Sequence, residues 1–288
     1  MQDMPELFVT YITSCKGRLA HLRQTLPRVV SQPGVHCVVV DYDCPDGTAR
    51  WVEENCPSVE VVKFSNTPGF SIAKARNAGA AVAKTEWLAF FDADILVEQD
   101  FFARLRPVLQ SGSFYRVSPV TMDTWGSVIC RREAFERAEG YDTVYQGWGV
   151  EDDDLYDTLE FIGLKHRRFD GSAVAAIPHD DAMRTRFHDV SRRVSHQCNQ
   201  IYRHTKLDLM RMNRSLMPRD LRESMYEQIR SKALQQHQLS SSGLEFDVVL
   251  PPIRIDAPDV SRTLGKRPQT RMARRVTYSV TWDDLKAE

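Results

Sequence analysis

The chain predicts an α/β fold: a mostly parallel sheet flanked by helices, with a C-terminal extension of helices followed by strands. Three observations predict it. Short apolar, β-branched runs alternate with segments of helical periodicity as far as Phe91. Two acid-bearing turns follow directly on predicted strands, at Asp41 and at Asp92. The 288 residues, 42% hydrophobic and 27% charged, suit one large globular domain with an appendage.

In order, Leu7 to Ile12 is a strand, and Arg18 to Val30 a helix with Leu19, Leu22, Leu26, Val29 and Val30 on one face. Cys37 to Val40 is the second strand. It ends in the turn-rich loop Asp41-Tyr42-Asp43-Cys44-Pro45-Asp46-Gly47-Thr48, which opens another helix near Thr48. Val59 to Phe64 is the third strand, Ser71 to Lys84 an alanine-rich helix, and Trp87 to Phe91 the fourth strand. Alternation of this kind covers both faces of a parallel sheet, and ligands of such sheets bind beyond the carboxyl ends of the strands. One crevice there collects both acid-bearing turns.

Composition excludes several classes. A net charge of -1 argues against a polyanion binder, so no nucleic-acid partner is expected. No apolar run approaches the roughly 18 residues of a membrane span. The stretch Met1 to Glu6 lacks the basic and apolar regions of a signal peptide, which reads as cytoplasmic. Six cysteines without Cys-x-x-Cys spacing read as reduced thiols.

Two stretches carry chemistry. In Phe90-Phe91-Asp92-Ala93-Asp94-Ile95 a strand runs into two carboxylates spaced to share a face. That suits a hard divalent cation whose open positions take the phosphates of a nucleotide. In Gly147-Trp148-Gly149-Val150-Glu151-Asp152-Asp153-Asp154 two glycines make a flexible loop whose indole can stack on a sugar ring. Four acids then open a helix marked by Leu155, Leu159 and Ile162. The helix dipole favours acids there, but capping accounts for only one or two. At least one of the rest is a candidate general base.

These motifs resemble a known family. Gly126 to Asp181, with Gly140-Tyr141, the Gly-Trp-Gly and acid string, and Ile177-Pro178-His179-Asp180-Asp181, is similar to the carboxyl half of the β-1,4-galactosyltransferase catalytic domain. The amino half resembles GT-A glycosyltransferases of the family-2 type through the Asp41 to Thr48 loop, Ala75-Arg76-Asn77-Ala78-Gly79 and Asp92-Ala93-Asp94. The resemblance covers roughly residues 7 to 190. It implies a catalytic domain over 1–190 and an extension over 191–288 of unassigned role.

By this resemblance Asp94 holds the metal, manganese or magnesium, with Asp92 facing ribose and metal shell and His179 completing the site. The family's methionine ligand falls near Ala176, which cannot coordinate. Thr13, Ser14 and Arg18 touch the nucleotide, Asp41 or Asp43 accepts from uracil, and Arg76 contacts phosphate, supports the Asp-x-Asp loop or forms a salt bridge on the helix surface. Trp148 lies between donor and acceptor sugars, Gly149 and Glu151 bind the acceptor or sugar, and Asp152 is the base. The implied reaction is inverting transfer from a UDP-sugar, galactose before N-acetylgalactosamine, to a saccharide hydroxyl in surface polysaccharide or glycan synthesis. The alternative is a non-catalytic nucleotide-sugar or carbohydrate-binding module of the same fold.

Beyond Asp189 the pattern gives a helix through Val194, Cys198, Ile201 and Leu209, and another after Pro218 through Leu221, Met225 and Ile229. Gln235 to Gly243 reads as a polar linker, then Phe246 to Ile255 and Val276 to Trp282 as strands. Lys266, Arg267, Arg271, Arg274 and Arg275 between them read as a solvated face. Their alternative is contact with phosphates of a lipid-linked acceptor or with the inner membrane face. A homodimer contact through this tail is a further expectation.

Overall fold

The computed structural model describes residues 6–179, 183, 186–188, 191–239, 243–255 and 270–281. The sequence-read residues Asp180, Asp181, Lys266, Arg267 and Trp282 lie outside these. The chain divides into two compact units, Met1–Asn199 and Gln200–Glu288.

In the first unit a seven-stranded sheet runs in the order β3-β2-β1-β4-β7-β6-β8. Its strands are β1 (Val9–Cys15), β2 (Val35–Tyr42), β3 (Glu60–Phe64), β4 (Trp87–Phe90), β6 (Ser113–Ser118), β7 (Val128–Arg131) and β8 (Lys165–Asp170). Strand β1 pairs in parallel with β2 and β4, β2 with β3, and β6 with β8, while β7 runs antiparallel to both its neighbours. The sheet is therefore mostly parallel. A separate ribbon pairs β5 (Ile95–Val97) with β9 (Val174–Ala176).

Period-two alternation sorts each central strand between two apolar layers. Tyr11, Val39, Ala89 and Phe91 face α1 (Leu19–Val30), whose Leu22, Leu26 and Val29 are fully buried. Ile12, Val38, Val40, Leu88 and Phe90 face the opposite layer, with Ala73, Ala75 and Ala80 of α3 (Ile72–Ala81). Small residues let α3 lie close to the sheet. The remaining helices of this unit are α2 (Thr48–Asn55), α4 (Phe101–Leu105), α5 (Arg132–Arg137) and α6 (Glu151–Phe161).

The chain turns to opposite sides of β1 when it adds β2 and β4, and a crevice opens at the carboxyl ends where the winding reverses. That position collects the Ser14 to Arg18 turn and the Asp92 to Asp94 turn.

Helix α7 (Arg192–Asn213) begins in the first unit; the second unit also holds α8 (Arg219–Leu239) and the antiparallel hairpin of β10 (Gly243–Ile255) and β11 (Thr270–Thr281). The expected linker at Gln235 is instead helical through Leu239. Glutamine is a good helix former, so polarity there marked exposure and not chain irregularity. No helix among the described residues is long and apolar enough to cross a membrane.

One glycine limits how α3 docks. A Cβ at Gly79 would stand 2.5 Å from Ile12 Cγ2 and 3.2 Å from Val40 Cγ2, both buried. Gly79→Val is expected to cost about 1–3 kcal/mol through overpacking, read as a lower urea midpoint with an unchanged m value.

Candidate active site

Beyond Phe90 the chain leaves the sheet in a tight turn closed by Ile95 N–H donating to Asp92 C=O at 3.1 Å. Ala93 is buried in the core and its carbonyl accepts from Thr25 Oγ1 at 2.8 Å. That anchor turns the carboxylates on either side toward a cavity of about 380 Å³. Strand β5 follows at once, its Ile95 paired with Ala176, and Ile177 N–H donates to Asp94 C=O at 2.9 Å. This register carries His179 to Asp94, with Nε2 2.6 Å from Oδ2. Arg18 Nη1, from the end of the β1 turn, donates to the same oxygen at 2.9 Å. Burial and the charge of Asp92 raise the Asp94 carboxyl above its usual range, with Arg18 and His179 opposing them.

The opposite wall is the start of α6. Its approach is set by backbone with positive φ: Gly147 at 76°, Gly149 at 88° and Val150 at 81°. For a β-branched residue the last is a strained conformation. A Cβ at Gly147 would meet Ser195 Cβ at 2.4 Å. Ser195 Oγ accepts from Trp148 N–H at 3.2 Å, and Asn199 Nδ2 donates to the carbonyls of Gln146, Trp148 and Gly149. Arg192 lies 4.0 Å from the Trp148 ring centroid. The Gly-Trp-Gly loop, expected to be flexible, is pinned by the first turns of α7. Its glycines serve conformation and close approach.

Arg76 joins the two walls. It projects from α3, is 2% exposed, and sends Nη2 to Asp92 Oδ1 at 2.8 Å and Nη1 to Asp152 Oδ1. Tyr141 Oη accepts from Nη1 at 3.1 Å, and the Gly126 carbonyl from Nη2 at 3.4 Å. Tyr141 is held in turn by Asn77, which donates to its carbonyl at 2.8 Å and accepts its N–H at 2.9 Å. A Cβ at Gly126 would stand 2.7 Å from Arg76 Nη2, 3.1 Å from Asp152 Oδ2 and 3.3 Å from Asp92 Oδ2.

Burial first, then the neighbouring Asp152, pushes the Glu151 carboxyl up to about 8. Burial also raises Asp152, opposed chiefly by Arg76. With one guanidinium against Asp152, the shared proton belongs on Glu151 and the negative charge on Asp152.

Of the residues singled out from the sequence, Ser14, Arg18, Arg76, Asp92, Asp94, Trp148, Gly149, Glu151, Asp152 and His179 line this one cavity. Thr13, Asp41 and Asp43 do not line it. Thr13 is buried in β1. Asp41 accepts the N–H groups of Cys44 at 2.7 Å and Ala49 at 2.6 Å and so shapes the loop that opens α2, while Asp43 accepts that of Thr67 at 2.9 Å and ties this loop to the one after β3. Sequence reasoning passed over Lys16, Trp125 and His196, which also line the cavity, and the braces Ser195 and Asn199. Polar residues four apart on the inner face of an otherwise apolar helix stripe are the signal that could have marked that last pair.

Asp94 and His179 converge on one point and supply an oxygen and a nitrogen, a donor set that fits a divalent ion whose other positions go to substrate phosphate. Among the described residues no three acidic, His or Cys side chains surround one such point.

Comparison with known proteins gives the family and the fold. The Glycosyl transferase family 2 profile matches residues 10–137, and the profile described as N-terminal domain of galactosyltransferase matches residues 121–180. Residues 10–180 are a GT-A glycosyltransferase domain. Among solved structures, the Pyrobaculum calidifontis mannosyltransferase PcManGT, in complex with GDP-Man and Mn2+, is 16% identical with a TM-score of 0.53, covering 82% of this chain and 76% of that one. S. aureus TarS 1-349 in complex with UDP-GlcNAc is 15% identical with a TM-score of 0.55, covering 82% and 74%. At these identities the likeness is one of fold. No curated protein matches the glycosyltransferase at a significant level.

Glu151 makes folding pH-dependent. Its folded carboxyl keeps a proton up to about 8, whereas an unfolded glutamate loses it near 4.5. Across that window the native state binds more protons, so its stability falls as pH rises. Glu151→Gln should remove this slope, and its melting temperature should gain on the wild type steadily from pH 5 to pH 8, as measured by calorimetry.

Proposed function

We propose that this glycosyltransferase is an inverting, metal-dependent enzyme that moves galactose or N-acetylgalactosamine from a UDP-sugar to a hydroxyl of a saccharide acceptor. The observation that carries the reading is the bridge made by Arg76. One buried guanidinium binds Asp92 of the cation-suited turn and Asp152 of the acid cluster, so both groups that sugar transfer needs share one cavity. The nucleotide sugars held by PcManGT and TarS, and the manganese held by PcManGT, support a donor of this class.

Asp94 and His179 would hold the divalent ion, with Asp92 facing the same space. When bound, that ion neutralises the charge gathering on the leaving diphosphate. Ser14 and Arg18 face the donor phosphates from the first turn of the crevice. An acceptor hydroxyl is a poor nucleophile, so Asp152, kept anionic beside Arg76, takes its proton as the new bond forms. Glu151, carrying a proton, donates a hydrogen bond that orients the acceptor. Trp148 supplies a flat apolar surface between the two sugars. A base opposite the leaving group gives a single in-line displacement, hence inversion. The polysaccharide or glycan context, a cytoplasmic setting at the inner membrane face and a homodimer through the C-terminal unit belong to the same proposal.

Three measurements test it. Asp94→Ala should abolish manganese-dependent UDP binding by isothermal titration while the melting curve keeps its cooperativity; equal affinity in the variant would remove Asp94 from the metal shell. Asp152→Asn should lower turnover by about 10²- to 10⁴-fold with UDP affinity retained. NMR of the product should show the anomeric configuration opposite to that of the donor. Retention, or near-wild-type turnover, refutes the single displacement.

A further inference from the structure

Trp125 lies between β6 and β7, outside every motif that the sequence singles out, and is 39% exposed. It is nonetheless fixed on three sides. Its indole Nε1–H donates to Asp153 Oδ1 at 3.0 Å. Its backbone carbonyl accepts from Tyr156 Oη at 2.8 Å. The Arg116 guanidinium stands over the ring, 4.8 Å from its centroid, and 3.9 Å from that of Tyr156. Among the described residues Arg116 Nε and Nη2 are buried with no hydrogen-bond partner, and the guanidinium is stacked between two aromatic rings. The preceding turn is closed by Thr121 and Thr124, each bonded to the other's side chain and backbone.

The residue after it is Gly126, whose missing Cβ leaves room for Asp152 Oδ2. An exposed indole is thus held beside the proposed base, with one face covered, its polar edge tied down, and the ring on the cavity wall. A large aromatic left partly in water but immobilised is pre-organised to be covered by something flat, at little further cost in side-chain entropy.

We propose that Trp125 is an acceptor-binding platform: the open face of its indole stacks on the carbon face of a neutral sugar ring and presents that ring's hydroxyl to Asp152. The proposal rests on the glycosyltransferase reading of the cavity. The charge around it selects the ligand class. Asp123 and Asp153 line the same wall beside Trp125, and carboxylates accept hydrogen bonds from hydroxyls while repelling carboxylated or phosphorylated rings. Trp125 and these acids therefore specify a neutral, hydroxyl-rich acceptor.

The test is a glycan array carrying neutral, uronic-acid-containing and phosphorylated oligosaccharides, probed with full-length protein in UDP and manganese. Wild-type protein should retain neutral glycans; Trp125→Ala should weaken that binding at least about tenfold, and Trp125→Phe, still planar, should keep most of it. Should alanine fail to fold, judged by melting temperature, Trp125→Leu gives the same contrast, since leucine fills the wall without a planar face and must lose binding where phenylalanine keeps it. Leucine or alanine variants that bind like wild type, wild-type selection of acidic glycans, or retention of none overturns the platform. UDP release from UDP-galactose by the wild type is run in parallel. Intact release with unaltered glycan binding in the variants refutes Trp125 alone, whereas no release and no UDP binding refutes the enzyme reading as well.

Discussion

The constraint on which the site depends is that Arg76 carries a full charge where water does not reach. A guanidinium cannot shed its proton at any ordinary pH, so burial is tolerable only if anions and acceptors surround it. Asp92, Gly126 C=O, Tyr141 Oη and Asp152 do so from four separate parts of the chain. Placing that one side chain therefore places the Asp-x-Asp turn, the loop before β7 and the first turn of α6. The Asn77–Tyr141 pair extends the same bracing back to α3. Removing one partner would leave an uncompensated charge, which is costlier than the net worth of the pairs themselves.

The same constraint divides labour between adjacent acids. Glu151 and Asp152 share a helix start, where the dipole favours negative charge, yet burial and mutual repulsion forbid both from ionising freely. Arg76 touches Asp152 and breaks the tie. The adjacent pair Glu151 and Asp152 is thereby turned into one neutral donor and one anion without any difference in side-chain chemistry large enough to see in the sequence.

What was legible in the sequence was whatever is local. Strands β1, β2 and β4 could be read because successive residues are buried on both faces, the edge strand β3 because its β-branched Val61 and Val62 mark it, and the Asp92/Asp94 and Gly147 to Asp154 motifs because their chemistry lies within a few residues. Strand β8, Lys165–Asp170, was not legible, since an edge strand with one buried residue carries no apolar pattern. Trp125 and Lys16 were missed for a different reason. Their placement depends on which distant residues the fold brings alongside, as when Lys16 Nζ reaches the carbonyls of Tyr42, Asp43 and Thr67. Asp41 and Asp43 show the converse: acids at a strand end resemble ligands in sequence, but Asp41 accepts backbone N–H groups of its own loop and of the start of α2, and Asp43 that of Thr67 in the loop after β3.

The bridging guanidinium also bears on how the chain is made. A ribosome releases Arg76 and Asp92 well before Tyr141 and Asp152, so the amino-terminal strands and α3 emerge with a cation whose other counter-charge does not yet exist. In a nascent intermediate that side chain must stay in water, and α3 cannot seat fully on the sheet until the α6 segment arrives. Closure of the sheet and assembly of the cavity thus coincide late in synthesis, because the last counter-charge to Arg76 to emerge is Asp152.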